Sequence, residues 1–188
     1  MKSFLRETVI TLILAIIIFV GLQAAIGSRI IPSGSMEPTL AIGERIITSK
    51  VSYFFHEPER GDIIVFHPPH QSEDATPFIK RIIGFPGESV EITDGIVYIH
   101  KDGEVFPLYD EPYIKEPPSR DFEGDIIPEN EYFVLGDNRN VSGDSRAGWT
   151  VPRDNIISKG WLSIWPPDKW WSVPHYPLEE QIASSTTK

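Results

Sequence analysis

The sequence contains no cysteine. This absence excludes a disulfide framework, a zinc–thiolate site and a thiol nucleophile. A chain without thiols also suits an oxidising exterior compartment. Because no thiol is available, any nucleophile for covalent chemistry has to come from another kind of side chain. We also expect no metal and no cofactor.

Basic residues are also scarce. The chain has 17 lysines and arginines against 27 aspartates and glutamates, which gives a formal net charge of −10 and a pI near 4.9. Nucleic-acid binding depends on basic patches that meet phosphate groups. The charge balance therefore argues against a nucleic-acid partner.

Sustained helical periodicity is missing from the sequence after residue 28. The 17 prolines and 14 glycines indicate short strands and many turns instead. The clearest strand pattern is the alternation in SVEITDGIVYIH, where Asp94-Gly95 marks a hairpin turn. We predict a mostly β fold, with an antiparallel β-sheet domain over residues 29–176. The polar residues 177–188 are predicted to be a disordered tail.

The longest uncharged segment runs from Thr8 to Ser28 and contains the aliphatic stretch TLILAIIIFV. As a helix it would span roughly 30 Å, the thickness of the hydrocarbon core of a bilayer. We therefore predict a cytoplasmic stub and a single transmembrane anchor over residues 1–28. Lys2 and Arg6 favour a cytoplasmic N-terminus and an exterior domain. The alternative is a cleaved secretory signal, because LQAAIGS could serve as a small-residue cleavage site.

Directly after this segment, IPSGSMEPTL (Ile31–Leu40) carries Ser33 and Ser35 in a turn bounded by proline and glycine. Serines in such a setting are ordinary turn formers. A serine becomes a nucleophile only where a neighbouring base takes its proton. The chemistry of this segment therefore depends on which base is available.

The histidines are weak candidates for that base. The chain has 5 of them, each in a turn-like or strand-edge context without an accompanying motif. A serine–histidine–aspartate hydrolase is also expected to show a nucleophile elbow such as G-x-S-x-G, which PSGSM does not match.

Lys80 is a stronger candidate, because lysine also serves serine hydrolases as a base. It lies in PFIKRIIGFPG, and in a strand Phe78, Lys80 and Ile82 would share one face. These apolar neighbours would desolvate the ammonium group and favour its loss of a proton. The alternative is a lysine that extends to solvent at a strand end.

A further segment, GDNRNVSGDSRAGW (Gly136–Trp149), concentrates aspartate, arginine and serine directly after an apolar strand. Considered alone, it could be a charged turn held together by aspartate–arginine pairs.

In chain order, PSGSMEPTL, RGDIIVF, FIKRIIGFPGESVEI and GDNRNVSGDSR resemble the signature segments of type I signal peptidases, the bacterial-type leader peptidases. These are membrane-anchored serine–lysine endopeptidases, and the resemblance covers about Ile31 to Trp165. It implies that the chain removes N-terminal signal peptides from exported preproteins. It also implies that preproteins and membrane lipid are its partners.

The resemblance implies a role for individual residues. They are Ser35 as nucleophile, Lys80 as general base, Ser33 as an oxyanion-hole hydroxyl, Ser142 as the hydroxyl that bonds to and orients the lysine, and two supporting ion pairs, Asp144–Arg146 and Arg81–Asp137. The last segment differs from the commoner GDNRDNS version at Asn140 and Val141, which leaves Ser142 and Asp144 in place.

The resemblance further implies cleavage after small residues at the first and third positions before the scissile bond. Ile31, Pro32, Met36 and Ile79 are expected to line shallow apolar pockets beside Ser35. A large substrate side chain would overpack such pockets at a cost of about 1–3 kcal/mol, enough to discriminate at least tenfold.

Tryptophans in WLSIWPPDKWW suit a lipid interface, where indole rings are favoured. They are Trp161, Trp165, Trp170 and Trp171. A place in the core is the alternative for Trp161 and Trp165.

Two other functions fit part of the pattern. A self-cleaving repressor-type protease shares the serine–lysine chemistry, but the anchor and the lack of a DNA-binding region argue against it. An inactive membrane-anchored β module that binds partners is the other, and an intact set of Ser35, Lys80 and Ser142 argues against that. The identity of the preproteins, the membrane that holds the chain and its oligomeric state are left open.

Overall fold

The computed structural model describes residues 2–72, 74–173, 176 and 178–184. It begins with helix α1 (Lys2–Ala25), which stands away from the folded domain. Its apolar span, Phe4–Ala25, has 22 residues, a mean hydropathy of 2.5 and 0% burial. In length and composition this helix is sufficient to cross a membrane.

The helix continues into the β-sheet without a linker. Strand β1 (Ile26–Ile30) follows at once and pairs antiparallel with β2 (Arg45–Ser49). At the junction, the Lys50 N–H donates to the Ala25 carbonyl with 2.9 Å between nitrogen and oxygen. The predicted boundary of the anchor at residue 28 therefore falls inside β1, because edge pairing already orders residues 26–28.

The larger sheet has eight antiparallel strands among the described residues. In spatial order they are β1, β2, β11 (Ile156–Trp165), β3 (Ile63–Phe66), β4 (Phe78–Gly84), β9 (Glu131–Leu135) and β10 (Val151–Pro152), with β12 (Trp171–Ser172) paired to β11.

The smaller sheet has the spatial order β7 (Glu104–Leu108), β6 (Ile96–Lys101), β5 (Ser89–Thr93) and β8 (Phe122–Glu123). β5 and β6 form the predicted hairpin, with Asp94 and Gly95 at φ angles of 52° and 78° in its turn. Two successive left-handed residues match a two-residue type I′ turn, which favours Asp-Gly. The prediction of a mostly β, antiparallel fold is confirmed.

The helical segments beyond the anchor are short. They are α2 (Ser52–Phe55), α3 (Leu178–Ser184) and 3₁₀ turns at Gly34–Met36, Ser145–Ala147, Arg153–Asn155 and Pro167–Lys169.

Apolar side chains alternate along the central strands and supply two faces of the larger sheet. One face packs against the segment after β1, where Ile31, Met36 and Leu40 are all buried. The other face carries a separate cluster that includes Ile64 and Phe66. Burial of the first set holds the serine-bearing segment against the sheet.

The C-terminal residues differ from the disordered tail predicted for 177–188. Leu178–Ser184 forms α3, and both Leu178 and Ile182 are buried in the core of the smaller sheet. Their i, i+4 spacing places them on one face of the helix. The prediction of disorder is wrong for α3, since two apolar residues in a polar segment were enough to dock it. Residues 185–188 lie outside the described residues.

The tryptophan-rich segment lies at the surface. Trp161, Trp165 and Trp170 are 56%, 58% and 67% exposed. The alternative that placed Trp161 and Trp165 in the core is therefore wrong. The side chain of Trp171 lies outside the described residues.

Candidate active site

Ser35 lies in the Gly34–Met36 turn and is buried, at 8% exposure. Asn138, in the loop after β9, holds this turn from the opposite side. Its backbone N–H donates to the Ser35 carbonyl, and its side-chain Nδ2 donates to the Gly34 carbonyl, both at 3.0 Å. The backbone around Ser35 is therefore tied to a segment about a hundred residues away.

Lys80 reaches Ser35 from strand β4. Its Nζ lies 2.6 Å from Ser35 Oγ, and the residue is only 4% exposed. Ile64 lies directly opposite Lys80 on the adjacent strand β3, and the ring centroid of Phe78 lies 5.7 Å from Lys80 Nζ. The lysine is therefore enclosed by apolar groups and does not extend to solvent at a strand end.

The environment of Lys80 disfavours its charged form. Burial lowers the pKa of Lys80 from 10.5 to about 8. The carboxylates of Asp144 and Asp137 act in the opposite direction and raise this pKa, while the Arg146 guanidinium lowers it. With a pKa near 8, roughly one lysine in ten is neutral at pH 7.

Ser33 is close to the same hydroxyl. Its Oγ–H donates to Ser35 Oγ across 3.4 Å. A hydroxyl at this distance from a nucleophile can reach an oxygen on the carbon that the nucleophile attacks. The Ser35 N–H lies in the first turn of a 3₁₀ helix, where backbone donors have no partner within the helix.

Ser142 is half-buried beside the serine segment, but its expected hydrogen bond to Lys80 is absent. Among the described residues, the buried Ser142 Oγ has no hydrogen-bond partner. A Cβ on Gly136 would lie only 2.2 Å from this Oγ and 2.5 Å from the Ser35 carbonyl oxygen. Only glycine at this position lets Ser142 and Ser35 approach each other so closely.

Asp144 and Arg146 form a bidentate pair, with both carboxylate–guanidinium distances at 2.8 Å. Asp144 also accepts the Gly136 N–H at 3.0 Å and the Arg146 N–H at 3.4 Å. The Asp144 carboxylate therefore links the two ends of the loop, Gly136 and Arg146.

Arg81 and Asp137 form a second bidentate pair, at 2.9 and 2.7 Å, and both side chains are fully buried. Asp137 Oδ2 also accepts the Thr39 hydroxyl at 2.6 Å. Since Thr39 belongs to the serine-bearing segment, this pair links that segment to the sheet.

Sequence reasoning missed several residues that hold the site. Thr39 and Asn138 lie inside the quoted motifs, so an inventory of hydrogen-bonding side chains there could have singled them out. Arg139 also lies in a quoted motif, but nothing in the sequence indicated its buried ion pair with Glu111, which accepts the Tyr113 hydroxyl at 2.5 Å. It depends on the fold of a loop far from the motifs.

A cavity of about 410 Å³ opens beside Ser35 and Lys80. Its lining includes all the residues expected to form substrate pockets, Ile31, Pro32, Met36 and Ile79, together with Ser33, Thr76, Pro77, Phe78, Val141 and Gly143. Ser142, Asp144 and Arg146 line a neighbouring cavity, while Arg81 and Asp137 lie buried outside both linings.

The chain has relatives among known proteins. Residues 2–165 match the family described as signal peptidase, peptidase S26. A probable signal peptidase I-1 from Synechocystis is 43% identical over 174 residues, covering 89% of this chain and 86% of that protein. A signal peptidase I from Leptolyngbya laminosa is 42% identical over 170 residues, covering 87% and 81%.

A crystal structure of a signal peptidase I from Enterococcus faecalis is 32% identical, with a TM-score of 0.46, and covers 55% of this chain and 97% of that one. The family match and the two relatives span most of the present sequence. The chain therefore belongs to the signal peptidase, peptidase S26, family.

Proposed function

We propose that this chain is a membrane-anchored endopeptidase that removes signal peptides with Ser35 as nucleophile and Lys80 as general base. Membership of the family supports signal-peptide removal, and neither an inactive binding module nor a self-cleaving repressor is favoured. The observation that carries the proposal is the 2.6 Å contact between buried Lys80 Nζ and Ser35 Oγ.

In the first step, neutral Lys80 removes the hydroxyl proton of Ser35 while Oγ attacks the scissile carbonyl carbon. The C–O bond forms, and collapse of the tetrahedral intermediate breaks the C–N bond. The lysine ammonium delivers its proton to the departing amine, so the mature chain leaves with a free amino group. The signal peptide stays attached to Ser35 as an ester.

In the second step, the neutral lysine takes a proton from water, and the hydroxyl oxygen attacks the ester carbonyl. Ser35 leaves and recovers its proton from Lys80. The signal peptide departs with a new carboxylate. Since the same amine acts first as base and then as acid in each step, a pKa near neutrality is useful for both.

The oxyanion of both intermediates would be held by the Ser33 hydroxyl and the Ser35 N–H. Support comes from the 3.4 Å separation of the two serine Oγ atoms and from the position of Ser35 in the 3₁₀ turn. A donor of this kind stabilises charge that exists only in the transition state and intermediate.

The substrate would bind as an extended strand. Strand β4 pairs with β3 from Phe78 onward, but its pairing with β9 begins only at Arg81. Within the described part of the sheet, the β4 edge before Arg81 is thus free to receive a peptide backbone. Ile31 and Ile79, which both line the cavity, would contact the substrate side chains.

Ser142 remains the candidate for orienting Lys80. Its buried hydroxyl lacks a partner among the described residues, which is costly unless water or the lysine amine supplies one. The ion pairs Asp144–Arg146 and Arg81–Asp137 would act as supports that hold the loop and the serine segment in place.

The chain would be oriented with its N-terminus in the cytoplasm and its catalytic domain outside. Lys2 and Arg6 precede the uncharged segment that begins at Thr8, consistent with positive-inside bias. Phe54 and Phe55, which are 81% and 77% exposed, follow the Lys50 contact with the end of the anchor. We expect these rings to meet lipid.

The nucleophile assignment is tested with the purified full-length chain and a peptide that spans a signal-peptide cleavage site. Ser35→Ala should abolish cleavage with little change in melting temperature, because only one atom is lost from a turn. Ser33→Ala should lower kcat by about 10²–10³, as expected for loss of one oxyanion donor. Ser28→Ala, at an exposed position of β1, is the matched control and should be fully active. Retained cleavage by Ser35→Ala would end the assignment.

Substrate choice is tested by varying the residue before the scissile bond. Alanine should be cleaved with a kcat/KM at least tenfold above that of phenylalanine, because the cavity walls are apolar and close to Ser35. Equal cleavage of the two peptides would contradict the small-residue pocket.

A further inference from the structure

The buried guanidinium of Arg81 packs against two neighbouring aromatic rings that the mechanism does not use. Its Cζ lies 4.1 Å from the Tyr113 centroid and 5.4 Å from the Tyr176 centroid. The two tyrosine rings are 5.0 Å apart and tilted by 39°. Arg81 therefore has aromatic contacts from the loop after β7 and from the residues that precede α3.

The Tyr176 backbone makes a second contact near the same arginine. The Gly61 carbonyl accepts a hydrogen bond from Arg81 Nη1 at 2.7 Å. A Cβ on Gly61, whose φ is 95°, would lie 2.6 Å from the Tyr176 carbonyl oxygen. Tyr176 thus packs both on the guanidinium and on Gly61, the residue that accepts one of the guanidinium's hydrogen bonds.

These contacts lead directly to the serine-bearing segment. Arg81 holds both oxygens of Asp137, and Asp137 Oδ2 accepts the Thr39 hydroxyl. The next residue, Asn138, bonds the Ser35 and Gly34 carbonyls. A displacement of Arg81 would therefore move the two groups that tie down the turn carrying Ser35.

Ordinary core packing of α3 is the alternative explanation for these contacts. Leu178 and Ile182 are buried in the cluster of the smaller sheet and account for docking of the helix. Glu179 adds an ion pair with Arg60 at 2.7 Å. Tyr113 belongs to the same cluster and Tyr176 packs against it, so a variant that weakens α3 without touching Tyr176 is needed to separate the two effects.

We propose that Tyr176 is a positioning residue for Ser35, acting through Arg81, Asp137 and Thr39. Tyr176 is then part of the active-site scaffold, because it adds a second aromatic contact to Arg81 beside that of Tyr113. Loss of the ring should let the guanidinium move, which loosens Asp137 and the serine turn. This inference rests on the proposed role of Ser35.

Three variants of the full-length chain test it: Tyr176→Ala, Tyr176→Phe and Ile182→Ala. Tyr176→Ala should lower kcat by about ten- to a hundredfold with KM little changed, because small misplacements of reacting groups have effects of this size. Tyr176→Phe keeps the ring and should restore kcat. Ile182→Ala removes a buried side chain from α3 and should lower the melting temperature, yet leave kcat unchanged well below that temperature.

Amide hydrogen exchange supplies a readout that does not depend on cleavage. Tyr176→Ala should speed exchange at Asn138 and Leu40, whose N–H groups donate to Ser35 and Met36 carbonyls. Ile182→Ala should not. If Tyr176→Ala leaves both kcat and this exchange unchanged, or if Ile182→Ala reproduces its effects, the positioning role is overturned. If Ser35→Ala stays active, the proposed function fails, while the exchange data still decide whether Tyr176 orders the serine turn.

Discussion

Lys80 illustrates how a single side chain acquires its chemistry from its neighbours. An exposed lysine holds its proton until about pH 10.4. In this fold, the cross-strand contact with Ile64 and the ring of Phe78 remove water from the ammonium group. The nearby carboxylates of Asp137 and Asp144 oppose the effect only in part, since each is paired with an arginine. The lysine is therefore held close to the pKa that a base needs.

The first prediction concerns the pH dependence of cleavage. Because only the neutral amine can take the Ser35 proton, kcat/KM should fall about tenfold for each pH unit below a pKa near 8. Lys80→Arg should be inactive at every pH, since guanidinium stays protonated. The measurement is a pH profile on a short soluble peptide. Turnover by Lys80→Arg would contradict the lysine-base mechanism.

The second prediction concerns stability. The pKa of Lys80 is lower in the folded chain, about 8, than its ordinary value of 10.5, so the unfolded chain binds the extra proton between these values. Stability should therefore rise with pH from about 8 to 10.5, and the ammonium should be destabilising below 8. Lys80→Met replaces the buried ammonium with an uncharged side chain and should remove this destabilisation.

Denaturant unfolding of Lys80→Met and wild type at pH 7 and pH 10.5 tests the point. The variant should be more stable by about 3 kcal/mol at pH 7, at roughly 1.4 kcal/mol for each tenfold change in proton affinity. The advantage should shrink at the higher pH. An equal difference at both pH values would mean that protonation of Lys80 is not responsible.

At the scale of elements, the site is made where the serine segment meets the loop after β9. The loop residue Gly136 touches both Ser142 and the Ser35 carbonyl, and its N–H is held by Asp144. Asn138 continues the contact by bonding the serine turn. The two segments are therefore packed backbone to backbone, with no room for a side chain between them.

Gly136→Ala should consequently disrupt this packing. The added Cβ would lie 2.5 Å or less from Ser142 and from the Ser35 carbonyl oxygen, and backbone atoms cannot move aside easily. We expect a loss of about 1–3 kcal/mol in the free energy of unfolding. Gly143→Ala, in the same loop but with nothing within 4 Å of the new Cβ, is the matched control. Equal melting temperatures for the two variants would refute the close approach.

At the scale of the whole molecule, the anchor and the sheet form one continuous unit. Helix α1 ends where β1 begins, and the Lys50 N–H donates to the carbonyl of Ala25, the last residue of the helix. The exposed rings of Phe54 and Phe55 follow that return, and Trp161 lines one small cavity with residues of α2. This end of the domain therefore lies near the plane in which the apolar helix would leave the bilayer.

A Phe54→Ser, Phe55→Ser double variant tests whether that end meets lipid. In vesicles it should cleave a membrane-inserted preprotein about tenfold more slowly than wild type. The reason is that the two aromatic rings that wild type would bury in the lipid interface are missing from the variant. Cleavage of a short soluble peptide in detergent should be unchanged. Ile126→Ser, at an equally exposed position beside the smaller sheet, is the control. If the control and the double variant behave alike, lipid contact at Phe54 and Phe55 is excluded.

Much of the fold could be predicted because its signals are local. The apolar run specifies a span of bilayer length, and Asp94-Gly95 specifies a hairpin turn through the φ angles of two adjacent residues. The motifs likewise indicated Ser35 and Lys80 as the candidate nucleophile and base. Each of these features depends on a few neighbouring residues, so tertiary packing had little to alter.

The sequence by itself therefore determined the membrane span, the β class and the chemical groups available. Only the tertiary structure decided the contact of Ser35 with Lys80, the bond between Thr39 and Asp137, and the docking of α3 through Leu178 and Ile182. These contacts join segments that are far apart in the chain. Each contact is favourable only when both of its segments have folded and their surfaces fit each other. A polar segment such as LEEQIAS carries too little local preference to reveal its partner, so its position follows from the surface it meets.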